Sequence, residues 1–174
     1  MKTLTLLRHA KAGWDDRSLS DFERPLTERG RRAARAMGRH LRELGLGFDR
    51  VVVSPAARTL ETVAVLAETY GPFDAVEDER IYLAPVETLI EIVRETDDAQ
   101  TRLLIVGHNP GMERLALLLG GGPLHEAVAV KYPTGALAEI ALPAARWRDV
   151  GEASGTLVRF VRPRDLDPAL GPGG

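Results

Sequence analysis

The 174-residue chain contains no cysteine. Disulfides, zinc–thiolate centres and a thiol nucleophile are therefore excluded, and a cytoplasmic setting is expected. Neither sign of charge dominates: 23 Lys and Arg face 25 Asp and Glu, for a net charge of -2, and the signs are interleaved. No basic face for nucleic acid is expected from that balance. No apolar run approaches the roughly 20 residues of a bilayer-spanning helix, so no membrane association is expected. The first core strand is predicted just after Met1-Lys2 without a long apolar h-region, so no signal peptide is expected. A Gly-x-x-x-x-Gly-Lys-Ser/Thr loop is missing, so a P-loop nucleotide site is not supported. His9 and His108 lack a third histidine or a matching carboxylate in their motifs, and neither a metal nor another cofactor is expected.

What the chain does have is a series of short apolar runs, each ending abruptly. Its length fits one domain, expected over residues 1–162, followed by a loose Pro-, Gly- and Asp-rich tail over 163–174. Strands are predicted at 3–7, 50–53, 102–106, 136–142 and 156–161, the last two antiparallel neighbours, with a weaker strand at 74–76. Between them run helices. The first is capped by Thr27, carries Ala33, Ala34, Met37, Leu41 and Leu44 at helical spacing, and stops at Gly45. The second is expected to turn Ala57, Leu60, Val63, Ala64 and Leu66 inward. A third opens at Pro85, and a fourth carries Leu115, Ala116 and Leu119 before Gly120-Gly121-Gly122-Pro123 breaks it. Strands alternating with helices predict an α/β fold, a three-layer α/β/α sandwich on a mostly parallel, twisted sheet. A polar loop over 13–24 has no helical period, and a loop that long usually serves a site or is disordered.

Three strand ends carry the chemistry. The first run ends in Arg8-His9, the second in Ser54-Pro55 with Arg58 just beyond, and a later one in Gly107-His108-Asn109-Pro110. One Arg–His pair alone would be an ordinary solvated strand end. Ligands of open α/β sheets, however, bind beyond the carboxyl ends of the strands, so Arg8, His9, Arg58 and His108 can converge on one rim. Two permanent cations and two imidazoles near helix N-termini would make an anion pocket suited to a phosphoryl group.

Leu7-Arg8-His9-Ala10-Lys11, Ser54-Pro55-Ala56-Ala57-Arg58-Thr59 and Gly107-His108-Asn109-Pro110 together resemble the histidine phosphatase superfamily, which has the phosphoglycerate mutase-like fold. The Arg-His-Ala-Lys-x-x-Trp opening, Arg24-Pro25-Leu26-Thr27-x-x-Gly30 and Pro133-Thr134-Gly135-Ala136 are similar to its SixA-type phosphohistidine phosphatase branch. Ala10 departs from the commoner Arg-His-Gly opening and is familiar in that branch. The resemblance implies that His9 attacks phosphorus and is transiently phosphorylated, while Arg8, Arg58 and His108 hold the phosphoryl oxygens. It implies no cofactor. The implied substrate is phosphohistidine in a protein, with a histidine phosphotransfer domain as partner. Asn109, through its amide or by shaping the turn, and Lys11 are further candidates for substrate binding, with a helix-start residue and a plain surface lysine as their alternatives. Glu79 is the candidate general acid, although Glu77-Asp78-Glu79-Arg80 reads better as a solvated acidic loop. Trp14 and Tyr82 read better as loop packing than as a substrate groove. Two alternatives stand beside this reading: a phosphomonoesterase or mutase acting on a small metabolite, and a phosphoryl-binding module without turnover.

Overall fold

A computed structural model describes residues 1–171. Strands β1 (Lys2–Arg8), β2 (Arg50–Val53), β3 (Ala75–Glu77), β4 (Arg102–Gly107), β5 (Gly120–Gly121), β6 (Leu137–Leu142) and β7 (Gly155–Val161) form one sheet in the order β3-β2-β4-β1-β6-β7-β5. The β3-β2-β4-β1 half is parallel throughout. β6 runs antiparallel to both β1 and β7, and β5 adds a short parallel edge to β7. The helices are α1 (Glu28–Glu43), α2 (Ala57–Tyr70), α3 (Val86–Arg94), α4 (Gly111–Leu119), α5 (His125–Val130) and α6 (Pro163–Leu166). The predicted α/β sandwich is the observed architecture.

Period-two alternation divides the strands between two cores. Leu4, Leu6, Val52, Leu103 and Ile105 pack with α3 and α4 through Leu89, Val93, Met112 and Leu115. Their neighbours Leu7, Val51, Val53, Leu104 and Val106 pack on the other face with Met37 and Leu41 of α1 and Leu66 of α2. The N-terminus of α1 is capped as its sequence predicts, the Gly30 amide donating to Thr27 Oγ1 at 3.0 Å. Past its other end, Gly45 takes φ +67°, a conformation open to glycine at little cost.

Three expectations are corrected. In α2 the buried face is Arg58, Thr59, Thr62, Val65 and Leu66, while Leu60 is exposed. The helix is rotated because its polar residues build the site, a demand that apolar periodicity does not register. Beyond the glycine break, Gly120–Gly121 joins the sheet and α5 follows at once. The segment predicted as a loose tail is ordered to Gly171: Pro163 begins α6, and the Arg162 amide donates to Asp165 at 2.8 Å. Leu166 and Leu170, one helical turn apart in sequence, then pin the segment against the α1 side of the molecule. The remainder of the predicted tail, residues 172–174, lies outside the described residues.

Candidate active site

The carboxyl ends of β1, β2 and β4 stay tied one residue beyond the sheet. The His9 amide donates to the Gly107 carbonyl at 3.0 Å, and the Ser54 amide to Val106 at 3.1 Å. These bonds bring Arg8, His9, Ser54 and His108 to one edge, as the Arg58 side chain reaches in from the first turn of α2. The His9 and His108 rings lie 5.3 Å apart, centroid to centroid. All four predicted residues therefore meet at one rim.

His9 is 7% exposed, and its Nδ1 lies 2.7 Å from the Ala10 carbonyl oxygen. A carbonyl can only accept, so Nδ1 carries the proton and the Nε2 lone pair stays available. Burial, assisted by His108, Arg58 and Arg8, depresses the His9 pKa to about 3 against the opposing pull of that carbonyl. The ring is thus neutral at physiological pH, as a nucleophile must be. His108 is likewise lowered to about 4, first by burial and then by Arg58. Its Nε2 lies 2.8 Å from Ser54 Oγ. A hydroxyl donated to Nε2 leaves the His108 proton on Nδ1.

The donors have a telling pattern of satisfaction. Among the described residues, four buried side-chain nitrogens have no hydrogen-bond partner, and three of them are Arg8 Nε, Arg58 Nε and His108 Nδ1. Folded proteins rarely leave buried donors orphaned, and a cluster of them marks a place for an acceptor-rich ligand. Other donors on the same side chains are anchored. Arg8 Nη1 donates to the Tyr132 carbonyl at 2.9 Å, while Arg58 gives Nη1 to the Asp21 carbonyl at 2.7 Å and Nη2 to its carboxylate at 3.0 Å. Asp21 also accepts from the Tyr82 hydroxyl and, at 3.1 Å, from Arg24 Nε. Burial alone would raise the Asp21 pKa; Tyr82 and the two arginines outweigh it and hold the group at about 2. It is a permanent carboxylate near neutral pH, unable to give up a proton.

The other candidates separate. Asn109 spends its amide within the protein, Nδ2 donating to the Tyr132 carbonyl at 3.0 Å and Oδ1 accepting from the Glu113 amide at 3.2 Å. It shapes the turn behind His108 and shares the Tyr132 carbonyl with Arg8. Lys11 lines a cavity beside Arg29, beyond Ala10. Glu79 is exposed at the start of a 3-10 turn (Glu79–Ile81), and no hydrogen bond or ion pair joins its carboxylate to the cluster. That turn instead delivers Tyr82, whose ring meets His108 edge-on at 5.4 Å and Phe22 at 5.1 Å. Asp21, Arg24 and Ser54 were not singled out as site residues by sequence; for the first two, the length of the 13–24 loop was the available signal. Trp14 is 66% exposed, with the Arg24 guanidinium 3.5 Å over its ring. Among the described residues, no three histidine, cysteine, aspartate or glutamate side chains converge as a metal site.

The profile of the histidine phosphatase superfamily (branch 1) matches residues 4–82, the segment that holds Arg8, His9 and Arg58. The crystal structure assigned as a SixA phosphohistidine phosphatase from Agrobacterium tumefaciens superposes with a TM-score of 0.78 at 28% identity, covering 92% of this chain and 97% of that one. The chain belongs to the histidine phosphatase superfamily. Its SixA-type branch is shown again by the Nakamurella multipartitia structure given the same assignment, with a TM-score of 0.81 at 28% identity over 93% of this chain and 96% of that one. An uncharacterised protein of Mycobacterium tuberculosis is 36% identical over 91% of this chain and all of its own length. The protein is thus a phosphatase of the SixA type, on the phosphoglycerate mutase-like fold.

Proposed function

We propose that this histidine phosphatase hydrolyses phosphohistidine in a protein through a phosphorylated His9, without a metal. The observation that carries the reading is Asp21. It is the carboxylate that hydrogen-bonds the phosphate-holding Arg58, and it is held ionised between Arg58, Arg24 and Tyr82. A site whose bonded carboxylate cannot supply a proton is poorly suited to expelling an alkoxide, which needs one. Imidazole, with a free pKa of about 6.5, departs far more readily.

In the first step His9 Nε2 attacks phosphorus in line while the substrate P–N bond breaks. Its electron pair goes to the departing ring nitrogen, which takes a proton from solvent. In the second step water attacks phospho-His9 and releases phosphate, regenerating the neutral ring. The Arg8 and Arg58 guanidinium groups and the His108 ring hold the phosphoryl oxygens and stabilise the charge spread over them in transit, the main source of catalysis in phosphoryl transfer. Asn109 and Lys11 serve the site indirectly, one through the His108 turn and the other as added positive potential. A histidine phosphotransfer domain in the cytoplasm is the partner class, in keeping with the cysteine-free chain and the SixA likeness.

The test is metal-free phosphate release from a phosphohistidine peptide and a phosphoserine peptide, with wild type, His9→Ala and Glu79→Gln. Release from phosphohistidine alone, lost in His9→Ala and kept in Glu79→Gln, is expected. Phosphoserine turnover that falls in Glu79→Gln would instead establish Glu79 as a working acid and make the protein a phosphomonoesterase.

A further inference from the structure

The fourth orphaned nitrogen is Arg29 Nε, and it belongs to a different place. Arg29 lines a cavity of about 170 Å³ formed where α1, the end of α5, the Pro133–Thr134 turn and α6 meet. Lys11, Arg29, Lys131, Arg162 and Arg164 all contribute to its wall, and none of the described lining residues is acidic. Asp165 engages Arg162 with two side-chain bonds, so the charge offered to a ligand rests on Lys131, on Arg164 with Asp165 in electrostatic reach, and on Arg29, which has Asp167 in reach and gives Nη2 to the Gly171 carbonyl at 2.8 Å. Between these cations the wall is apolar, with Val130 79% exposed and Leu170 at the other side. Such a concentration of one sign stands out on a chain whose net charge is -2.

The cavity shares a wall with the catalytic loop. Thr134 precedes Gly135, whose amide lies 2.9 Å from the His9 carbonyl, and Pro133 follows Tyr132, whose carbonyl anchors Arg8. Lys11 is two residues beyond His9. A protein chain presenting a phosphorylated side chain to His9 would extend directly over this hollow.

We propose that the cavity is a docking subsite for an acidic segment of the protein substrate, flanking its phosphohistidine. The inference rests on the phosphohistidine reading above and adds what selects the substrate. Carboxylates meet Arg29, Lys131 and Arg164, while an apolar side chain of the same segment covers Val130 and Leu170. Rim charges of this kind act on capture and its salt dependence more than on the chemical step.

The experiment compares two phosphohistidine peptides of equal length, one with Asp and Glu flanks and one with Ser and Gly flanks. Wild type is set against the double variant Lys131→Glu/Arg164→Glu, both positions being exposed. The acidic peptide should have a KM lower by about ten-fold in wild type, and this advantage should vanish in the variant and at high ionic strength. Turnover of the neutral peptide should be unchanged. Equal KM values for the two peptides in wild type would overturn the docking site and leave the phosphohistidine reading standing. Binding of a fluorescent, unphosphorylated acidic peptide gives a readout that needs no turnover, so it judges the docking site even if neither peptide is hydrolysed. Equal affinity of wild type and variant for that probe would overturn the proposal. Tight binding of inorganic phosphate at the cavity without preference for the acidic peptide would do the same.

Discussion

His9 donates from Nδ1 to the carbonyl of its own neighbour, Ala10, at 2.7 Å, so the nucleophile is oriented by the backbone that follows it. Burial keeps this ring and that of His108 neutral, at pKa values of about 3 and about 4. Both lie below the roughly 6.5 of an unfolded histidine. Unfolding therefore takes up protons as the pH drops below about 6.5, and stability is full above that value. It is lost progressively towards about pH 4 for His108 and about pH 3 for His9, by up to roughly 1.4 kcal/mol per pH unit for each histidine. Urea midpoints measured across this range should fall with pH in wild type and fall less steeply in His9→Gln and His108→Gln. Parallel slopes would contradict the assignment of these protons.

Asp21 should act as a positioning residue for Arg58. Asp21→Ala removes the carboxylate that fixes the guanidinium and the Tyr82 hydroxyl. We expect kcat/KM on a phosphohistidine peptide to fall about ten-fold, equivalent to about 1.4 kcal/mol of transition-state stabilisation. Asp21→Glu should recover part of it. Because the loop is exposed in part, the urea midpoint should change little, and this separates positioning from folding.

Ser54 Oγ is the hydrogen-bond partner of His108 Nε2, at 2.8 Å. Ser54→Ala leaves the backbone bond from Ser54 to Val106 intact and deletes the hydroxyl at His108 Nε2. The proton can then move between the two ring nitrogens, so kcat should drop by about ten-fold with KM nearly constant. Steady-state kinetics read the split directly, and a rise in KM alone would assign Ser54 to binding.

Gly30 is required by a close crossing. A Cβ at this position would lie 2.2 Å from the Lys11 carbonyl oxygen, a backbone atom with little room to move. Gly30→Ala should cost about 1–3 kcal/mol of stability, as overpacking does. Denaturant unfolding at constant m-value checks it. Activity should fall as well, because Lys11 is two residues from the nucleophile.

The four chemical residues were legible because each follows an apolar strand or starts a helix, and topology alone gathers such ends. Arg8, His9, Arg58 and His108 needed no tertiary information beyond that rule. Asp21 and Tyr82 were not legible as a pair, since 61 residues separate them and only packing joins them. The face of α2 was misread for a related reason: Arg58, Thr59 and Thr62 turn inward to serve the site, against the apolar pattern. A helix as short as α6 carries too few turns to show a period, so a tail is expected in its place.

Thr62 receives the Ala10 amide at 3.0 Å and gives its own hydroxyl to the Arg58 carbonyl at 2.6 Å. The segment bearing the attacking nitrogen and the helix bearing the phosphate-holding guanidinium are thereby strapped together by one side chain. That strap works as a ruler: the spacing between the two backbones is set inside the body of the molecule, and Asp21 of the 13–24 loop only aims the guanidinium at its end. The cationic hollow beyond Lys11 could consequently be exchanged for another, altering which molecule is admitted, while the distance over which phosphorus is handed across stayed the same.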